Sequence, residues 1–295
     1  MKNYILSCEM PADITKEHFE SRNILYIPFH FFLDEQEYKE DFGVTVPFEE
    51  FYARIAKGAA TRTSQPNISE YKAAFTPYLE QGMDVVHICL SSGISGAYNS
   101  AKNASEILAE IFPDNRVYVI DSLAASSGMG LLADAAADRR DEGYTAEELV
   151  RWIEDNKLRL HHWFFTTDLS TFVRGGRVSK TAAVFGGLLD ICPLLNMDGK
   201  GCLTAREKVR TKKRVIRETV KKMEQLASDG TNYSGKCYIS QSACYEDARE
   251  VADLIEARFP KLNGRVEINW VGNLIGSHTG PGTVALFFWS DEKRS

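Results

Sequence analysis

No apolar run in this 295-residue chain approaches the ~20 residues needed to span a bilayer as a helix. The longest, Val284 to Trp289, has the length of a buried strand. Met1 to Met10 lacks a basic start followed by a long apolar core, so no secretory signal is expected and the cytoplasm is the expected compartment. The six cysteines include no C-x-x-C pair, and most fall in strand-like runs, which argues against a metal site or a disulfide framework. Buried free thiols in a reducing compartment are expected instead. A basic excess is also missing. The net charge is −6, so nucleic acid is not the expected partner. There is no G-x-S-x-G elbow, no Walker loop and no H-E-x-x-H, hence no enzyme signature by motif alone. No low-complexity tract, short repeat or Pro/Gly/Ser-rich linker divides the chain.

What is present is an α/β rhythm. With 44% hydrophobic residues the chain can bury a substantial core. Strand-like Tyr4–Ser7, Ile24–Phe32, Asp84–Leu90 and Arg116–Asp121 alternate with helix-like segments, which predicts βα units on a largely parallel sheet. Asn67-Ile68-Ser69-Glu70 and Thr145-Ala146-Glu147-Glu148 each read as a capping box. Beyond residue 160 the pattern changes. Ile191–Met197 and Cys202–Val209 flank Asp198-Gly199-Lys200-Gly201, a hairpin signal, and Thr181–Leu189 reads as a short helix. We therefore expect an N-terminal α/β domain over residues 1–160, carrying the hydroxyl-rich loops, and a C-terminal α/β domain with a mixed sheet over 161–295, packed tightly together.

Leu90-Ser91-Ser92-Gly93-Ile94-Ser95-Gly96-Ala97-Tyr98 lies between a strand and a helix. Such a loop brings serine hydroxyls and free N–H groups to the positive end of a helix, a place that favours a phosphate or a carboxylate. Thr61-Arg62-Thr63-Ser64-Gln65-Pro66 offers a fixed pair of hydroxyls, or simply a lead-in to the Asn67 helix. His278-Thr279-Gly280-Pro281-Gly282-Thr283 reads as a tight loop before the last strand. There a histidine can donate to an anion or act as acid or base. Arg174-Gly175-Gly176-Arg177-Val178-Ser179-Lys180 could clamp an anion or dock a partner. The stretch Arg206 to Lys222 is basic within an acidic chain, with Ile216, Val220, Met223 and Ala227 on the buried face of its helix.

In order and spacing, Thr63-Ser64-Gln65-Pro66, Ser91 to Ala101, Asp121-Ser122, Gly175 to Lys180 and His278 to Thr283 together resemble the DegV family. These are bacterial fatty-acid-binding proteins that include the B subunits of fatty-acid kinase. The resemblance covers most of the chain from about Ile24 onward. It implies a non-catalytic, two-domain α/β carrier with no cofactor, holding one long-chain fatty acid in an apolar tunnel. By that resemblance Thr63 and Ser95 hold the carboxylate, with His278 near it; Ser64, Gly96 and Thr279 complete the expected head-group site. It also implies a separate fatty-acid kinase as partner, which makes an acyl-phosphate for phospholipid synthesis. Arg177, Arg206, Arg210, Lys212 and Lys213 are the residues expected to dock that kinase close to the ligand mouth, and a transient contact with a membrane surface is compatible with this role. The competing reading is a serine hydrolase or acyltransferase using Ser95 with His278 as base. One departure stands out. Family members open with an Asp-Ser-x-x-Asp-Leu-like segment. Ser7-Cys8-Glu9-Met10-Pro11-Ala12-Asp13-Ile14 keeps Asp13 and is read as having lost the first acidic residue. The aromatic run Tyr26 to Phe32 bears on the tunnel, so chain-length preference does not carry over.

Overall fold

A computed structural model gives the fold and describes residues 3–178 and 191–295. The segment 179–190, with the expected short helix and Lys180, lies outside the described residues. The first sheet is parallel, in the order β2 (Ile24–Ile27), β1 (Tyr4–Glu9), β6 (Asp84–Cys89), β7 (Val117–Asp121). The strands β1 and β6 are buried almost throughout, as expected for a parallel sheet covered on both faces. The chain leaves β1 in one direction, through α1 (Lys16–Ser21) to β2, and later returns to add β6 and β7 on the other side of β1. This makes β1/β6 a switch point. The crevice at the carboxyl ends of such strands is where open α/β sheets bind ligands. The serine loop leaves the end of β6 there and enters α4 (Ala97–Ile111).

The run read as one strand over Ile24–Phe32 is two. Pro28 and Phe29 interrupt it, and β3 (His30–Leu33) turns away into a separate antiparallel sheet between β4 (Gln36–Lys39) and β5 (Thr61–Ser64). The hydroxyl stretch is thus itself a strand, not only a lead-in. Phe31 faces Thr63 and His30 faces Ser64 across the pair. The following α3 (Ile68–Leu79) has the Asn67/Glu70 capping box, and α6 (Ala146–Asn156) the Thr145/Glu148 one.

After α5 (Ser126–Asp141) and α6, the strands enter a six-stranded mixed sheet. Its order is β10 (Leu203–Arg210), β9 (Ile191–Met197), β8 (Leu160–Thr166), β13 (Thr283–Trp289), β11 (Tyr238–Gln241), β12 (Glu267–Trp270). All neighbours are antiparallel except β11 and β12. Side chains alternate across its two faces. Trp163, Phe165, Leu194, Leu286 and Phe288 pack under α8 (Lys212–Leu226) and α9 (Tyr245–Arg258). The other face, with Phe164, Ala285 and Phe287, joins a core cluster that also contains Leu6, Ile88, Ala97 and α5. The two halves therefore share one continuous core.

The hairpin at 198–201 forms as expected and ties the sheets together. Gly201 has φ +72°, and the Ser91 hydroxyl donates to its carbonyl at 2.8 Å. A Cβ on Gly93 would lie 2.5 Å from that same carbonyl oxygen, so only glycine allows the serine loop to approach the hairpin tip this closely.

Candidate functional site

A cavity of about 290 Å³ opens between the serine loop, β5, the mixed sheet and α10 (Asn273–Thr279), close to the ~300 Å³ lower end of ordinary ligand pockets. Its interior is buried and mostly apolar, with Phe29, Leu90, Phe164, Phe172, Leu274 and Phe287 in the wall beside the buried Ser126, His162 and Thr283. Its open end carries half-buried or exposed polar groups: Thr63, Ser64, Gln65, Ser95, Arg177 and His278. One end can therefore hold a charged, hydrated group while the rest excludes water.

Of the six expected head-group residues, five line the cavity: Thr63, Ser64, Ser95, His278 and Thr279. Gly96 stands behind it as the N-cap of α4, where a Cβ would come within 2.7 Å of the Gln65 side chain. Gln65 in turn donates to Ser100 Oγ at 2.7 Å, which fastens the end of β5 to α4. Ser95 Oγ accepts the Ala97 N–H at 3.2 Å, leaving its own proton to donate. Thr63 Oγ1 lies 2.8 Å from His278 Nε2. Burial, reinforced by the Arg177 charge, lowers the His278 pKa to about 4, so the ring is neutral near pH 7. With Nε2 protonated, the ring donates to Thr63 and frees the Thr63 hydroxyl to donate into the cavity. His278 is the partner of Thr63, not of Ser95, so the pairing required by the hydrolase reading is not formed. It also sits in the last turn of α10 and not, as expected, in a loop.

Arg177 turns inward. Its Nε donates to the Ile94 carbonyl at 3.1 Å and Nη1 to the Gly175 carbonyl at 2.6 Å, and desolvation lowers its pKa. Among the described residues no carboxylate pairs with it. The other four basic residues are elsewhere. Arg206 is engaged with Asn196 Oδ1 (2.8 Å) and the Ser295 carbonyl (3.0 Å). Lys212 pairs with Asp247 at 2.9 Å, and with Lys213 it opens α8, on the face of the sheet away from the cavity. Arg210 is exposed at the end of β10. The five thus do not form one face at the cavity mouth, because the sheet separates α8 from it.

The N-terminal segment needs a correction. Glu9 stands four residues before Asp13, so the first acidic place of the Asp-Ser-x-x-Asp pattern is kept as a glutamate; the serine is what has changed, to Met10. Glu9 is buried at the end of β1, accepts the Leu90 N–H at 2.7 Å and the Tyr71 hydroxyl at 2.5 Å, and so fixes the start of the serine loop. Asp13 accepts the Gly272 N–H at 3.0 Å and the Ser126 hydroxyl. Glu40 accepts the Phe29 N–H at 3.2 Å and also the Leu274 N–H. These two buried carboxyls hold the first turn of α10, the helix that delivers His278. Burial raises Asp13 to about 7 and Glu40 to about 8, the latter also through repulsion by Asp13. A glutamate closing a strand is the sequence signal for Glu9; no pattern marks Glu40, because its role depends on contacts made only by the fold. Glu9, His87 and Cys89 bring their donor atoms within 4.8 Å of one another. Glu9 is already taken by Tyr71 and Leu90, and His87 Nδ1 lies 3.0 Å from Ser7 Oγ, so the set reads as a core network. Among the described residues no helix is long and apolar enough to cross a membrane.

Comparison with known proteins agrees with this architecture. A family model described as "Uncharacterised protein, DegV family" matches residues 11–291. A DegV domain-containing protein of Clostridium perfringens is 33% identical over 293 residues, covering 99% of each chain. The crystal structure of DegV, a fatty acid binding protein from Bacillus subtilis, superposes with a TM-score of 0.84 at 26% identity, covering 99% of this chain and 100% of that one. The B3 protein of the Streptococcus pneumoniae fatty acid kinase, loaded with linoleic acid, has a TM-score of 0.84 at 20% identity over 98% of this chain and 100% of its own, a likeness of fold. With a family model matching residues 11–291 and a relative 33% identical over nearly the whole of both chains, the chain belongs to the DegV family.

Proposed function

We propose that this protein is a non-catalytic carrier that binds one long-chain fatty acid in the cavity and presents its carboxylate to a fatty-acid kinase. The carrying observation is the polarity of the cavity: buried hydrocarbon inside, and Thr63, Ser95, His278 and an Arg177 without a carboxylate partner among the described residues at the open end. A carboxylate supplies what this end lacks. Thr63 and Ser95 donate to it, and Arg177 offsets its charge, which a buried anion requires. Burial of the tail contributes roughly 0.8 kcal/mol per CH₂. Presentation to a kinase rests on the resemblance of the motifs. In this reading Arg177, at the open end, belongs to the head-group site as well as to the face the kinase meets, and Arg206, Arg210, Lys212 and Lys213 are peripheral to that face. Delipidated protein should gain thermal stability on adding long-chain fatty acids, because a ligand that binds only the folded state stabilises it. Absence of any shift across saturated and unsaturated acids of differing length would refute the carrier reading.

A further inference from the structure

The helix α10 has no side-chain cap of its own, because its N-cap is Gly272. Two carboxyls from distant segments accept its first N–H groups instead: Asp13 from Gly272 and Glu40 from Leu274. Glu40 also accepts from Phe29, so one side chain fastens two walls of the fatty-acid cavity. A Cβ on Gly272 would lie 2.8 Å from Asp13 Oδ1 and 3.7 Å from Glu40 Oε1, so the two carboxyls close on one glycine. They are only 7% and 8% exposed. Among the described residues no cation pairs with either. Lys16, which lines a second cavity of about 310 Å³ with them, is engaged with Glu20 at 3.5 Å. Two buried carboxyls this close, without a counter-ion, cannot both ionise without strong repulsion.

The surroundings supply no relief. Glu9 of β1 adds repulsion on Glu40. Tyr52 of α2 (Phe48–Ala56) faces Asp13, and burial pushes its hydroxyl pKa up, so it stays neutral. Lys16 and Glu17 of α1 share the second cavity with the pair. What the pair holds matters to the head group. The helix α10 lines the fatty-acid cavity with Leu274, Ile275, His278 and Thr279, and His278 Nε2 lies 2.8 Å from Thr63 Oγ1. In a helix of seven residues, a displaced first turn displaces the last. Resting on the fatty-acid reading above, we propose that Asp13 and Glu40 are positioning residues: the proton they retain between them holds α10, and through it His278 and Thr63, in the carboxylate-binding arrangement. Full ionisation of the pair loosens the first turn, moves the His278 ring from Thr63 and weakens the grip on the carboxylate. Binding then favours the protonated pair, so protons are taken up with the ligand and affinity falls as pH rises. Burial sets the window by raising Asp13 to about 7 and Glu40, also repelled by Asp13, to about 8. In that window the head-group residues keep their charge, since burial lowers His278 to about 4 and Arg177 remains a cation.

The test measures binding of tetradecanoic acid to delipidated protein by titration calorimetry from pH ~6.5 to ~9, well below the unfolding temperature. Wild-type affinity should fall ~3- to 10-fold across the range, the worth of one ordinary hydrogen bond. Glu40→Gln keeps an acceptor for Phe29 and Leu274 and relieves the repulsion, so its affinity should stay level. The ratio of the two proteins cancels any ionisation of the ligand. Repeating the wild-type titration at pH ~8 in buffers of different ionisation enthalpy should show net proton uptake on binding, which carries the test even where the variant does not fold. Parallel pH profiles for wild type and variant, as a merely structural Glu40 would give, or binding without proton uptake, would overturn the inference and leave the carrier reading standing. Failure of tetradecanoic acid and of longer acids to bind at any pH would overturn both.

Discussion

The two faces of the six-stranded sheet are built from the same strands and serve different ends. On one, Phe165, Leu194, Leu286 and Phe288 meet α8 and α9 in a nearly continuous hydrocarbon layer. On the other, the alternate residues of those strands meet a cavity, and His162 and Thr283 interrupt the hydrocarbon. The first face maximises burial; the second leaves volume unfilled, which is a cost unless a ligand occupies it. A one-residue alternation thus separates stability from binding within a single strand.

Substitutions can break this division, and the largest effect is expected on the packed face. Leu286→Ala should cost about 2–5 kcal/mol of stability in chemical denaturation, as deletion of a fully buried leucine side chain does, while ligand stoichiometry stays the same. At the cavity mouth the balance reverses. Ser95→Ala and Thr63→Val should each weaken fatty-acid binding by about 1.5–3 kcal/mol, the worth of a hydrogen bond to a charged group, with little change in the unfolding midpoint. The methyl ester should bind wild type more weakly than the acid; equal binding would remove the head-group assignment.

A pH series sharpens the comparison at the clamp on α10. Glu40 has its pKa raised from 4.5 to about 8 in the folded protein. Between those values the folded state holds a proton that the unfolded state has released, so stability falls as pH rises through that window. Glu40→Gln keeps the neutral form at all pH values. Relative to wild type it should show no advantage below pH ~4.5 and a growing one toward pH ~8. A constant difference across the range would mean that Glu40 is ionised throughout. The smallest effect is expected at Arg210, on the edge of the sheet. Arg210→Glu should slow association with a kinase only modestly, less so at high salt, and leave fatty-acid affinity unchanged.

Periodicity and capping made much of this legible from sequence. The parallel strands, the hairpin at 198–201 and both capping boxes announce themselves locally. The hydroxyls of Thr63 and Ser95 were visible because small polar residues cluster at a strand end and a helix start. Three features were not. The break at Pro28 and Phe29 is hidden in a continuous aromatic run, and only tertiary pairing with β5 shows where β3 goes. The helical setting of His278 depends on Asp13 and Glu40 gripping the first turn of α10 from segments more than two hundred residues away in sequence. The loop carrying Arg177 could be read as an anion clamp or as a docking loop, because a Gly-Gly pair flanked by arginines gives no sign of direction; the inward turn of Arg177 is set by the Ile94 and Gly175 carbonyls.

The central claim, that the cavity holds a fatty acid by its carboxylate, is tested most directly by native mass spectrometry of the protein purified from bacteria, beside its Ser95→Ala and Thr63→Val variants. The account predicts one retained molecule per chain with the mass of a long-chain fatty acid, lost at lower collision energy from either variant. A chain that emerges with no bound lipid, and takes up none when fatty acid is supplied, would contradict it.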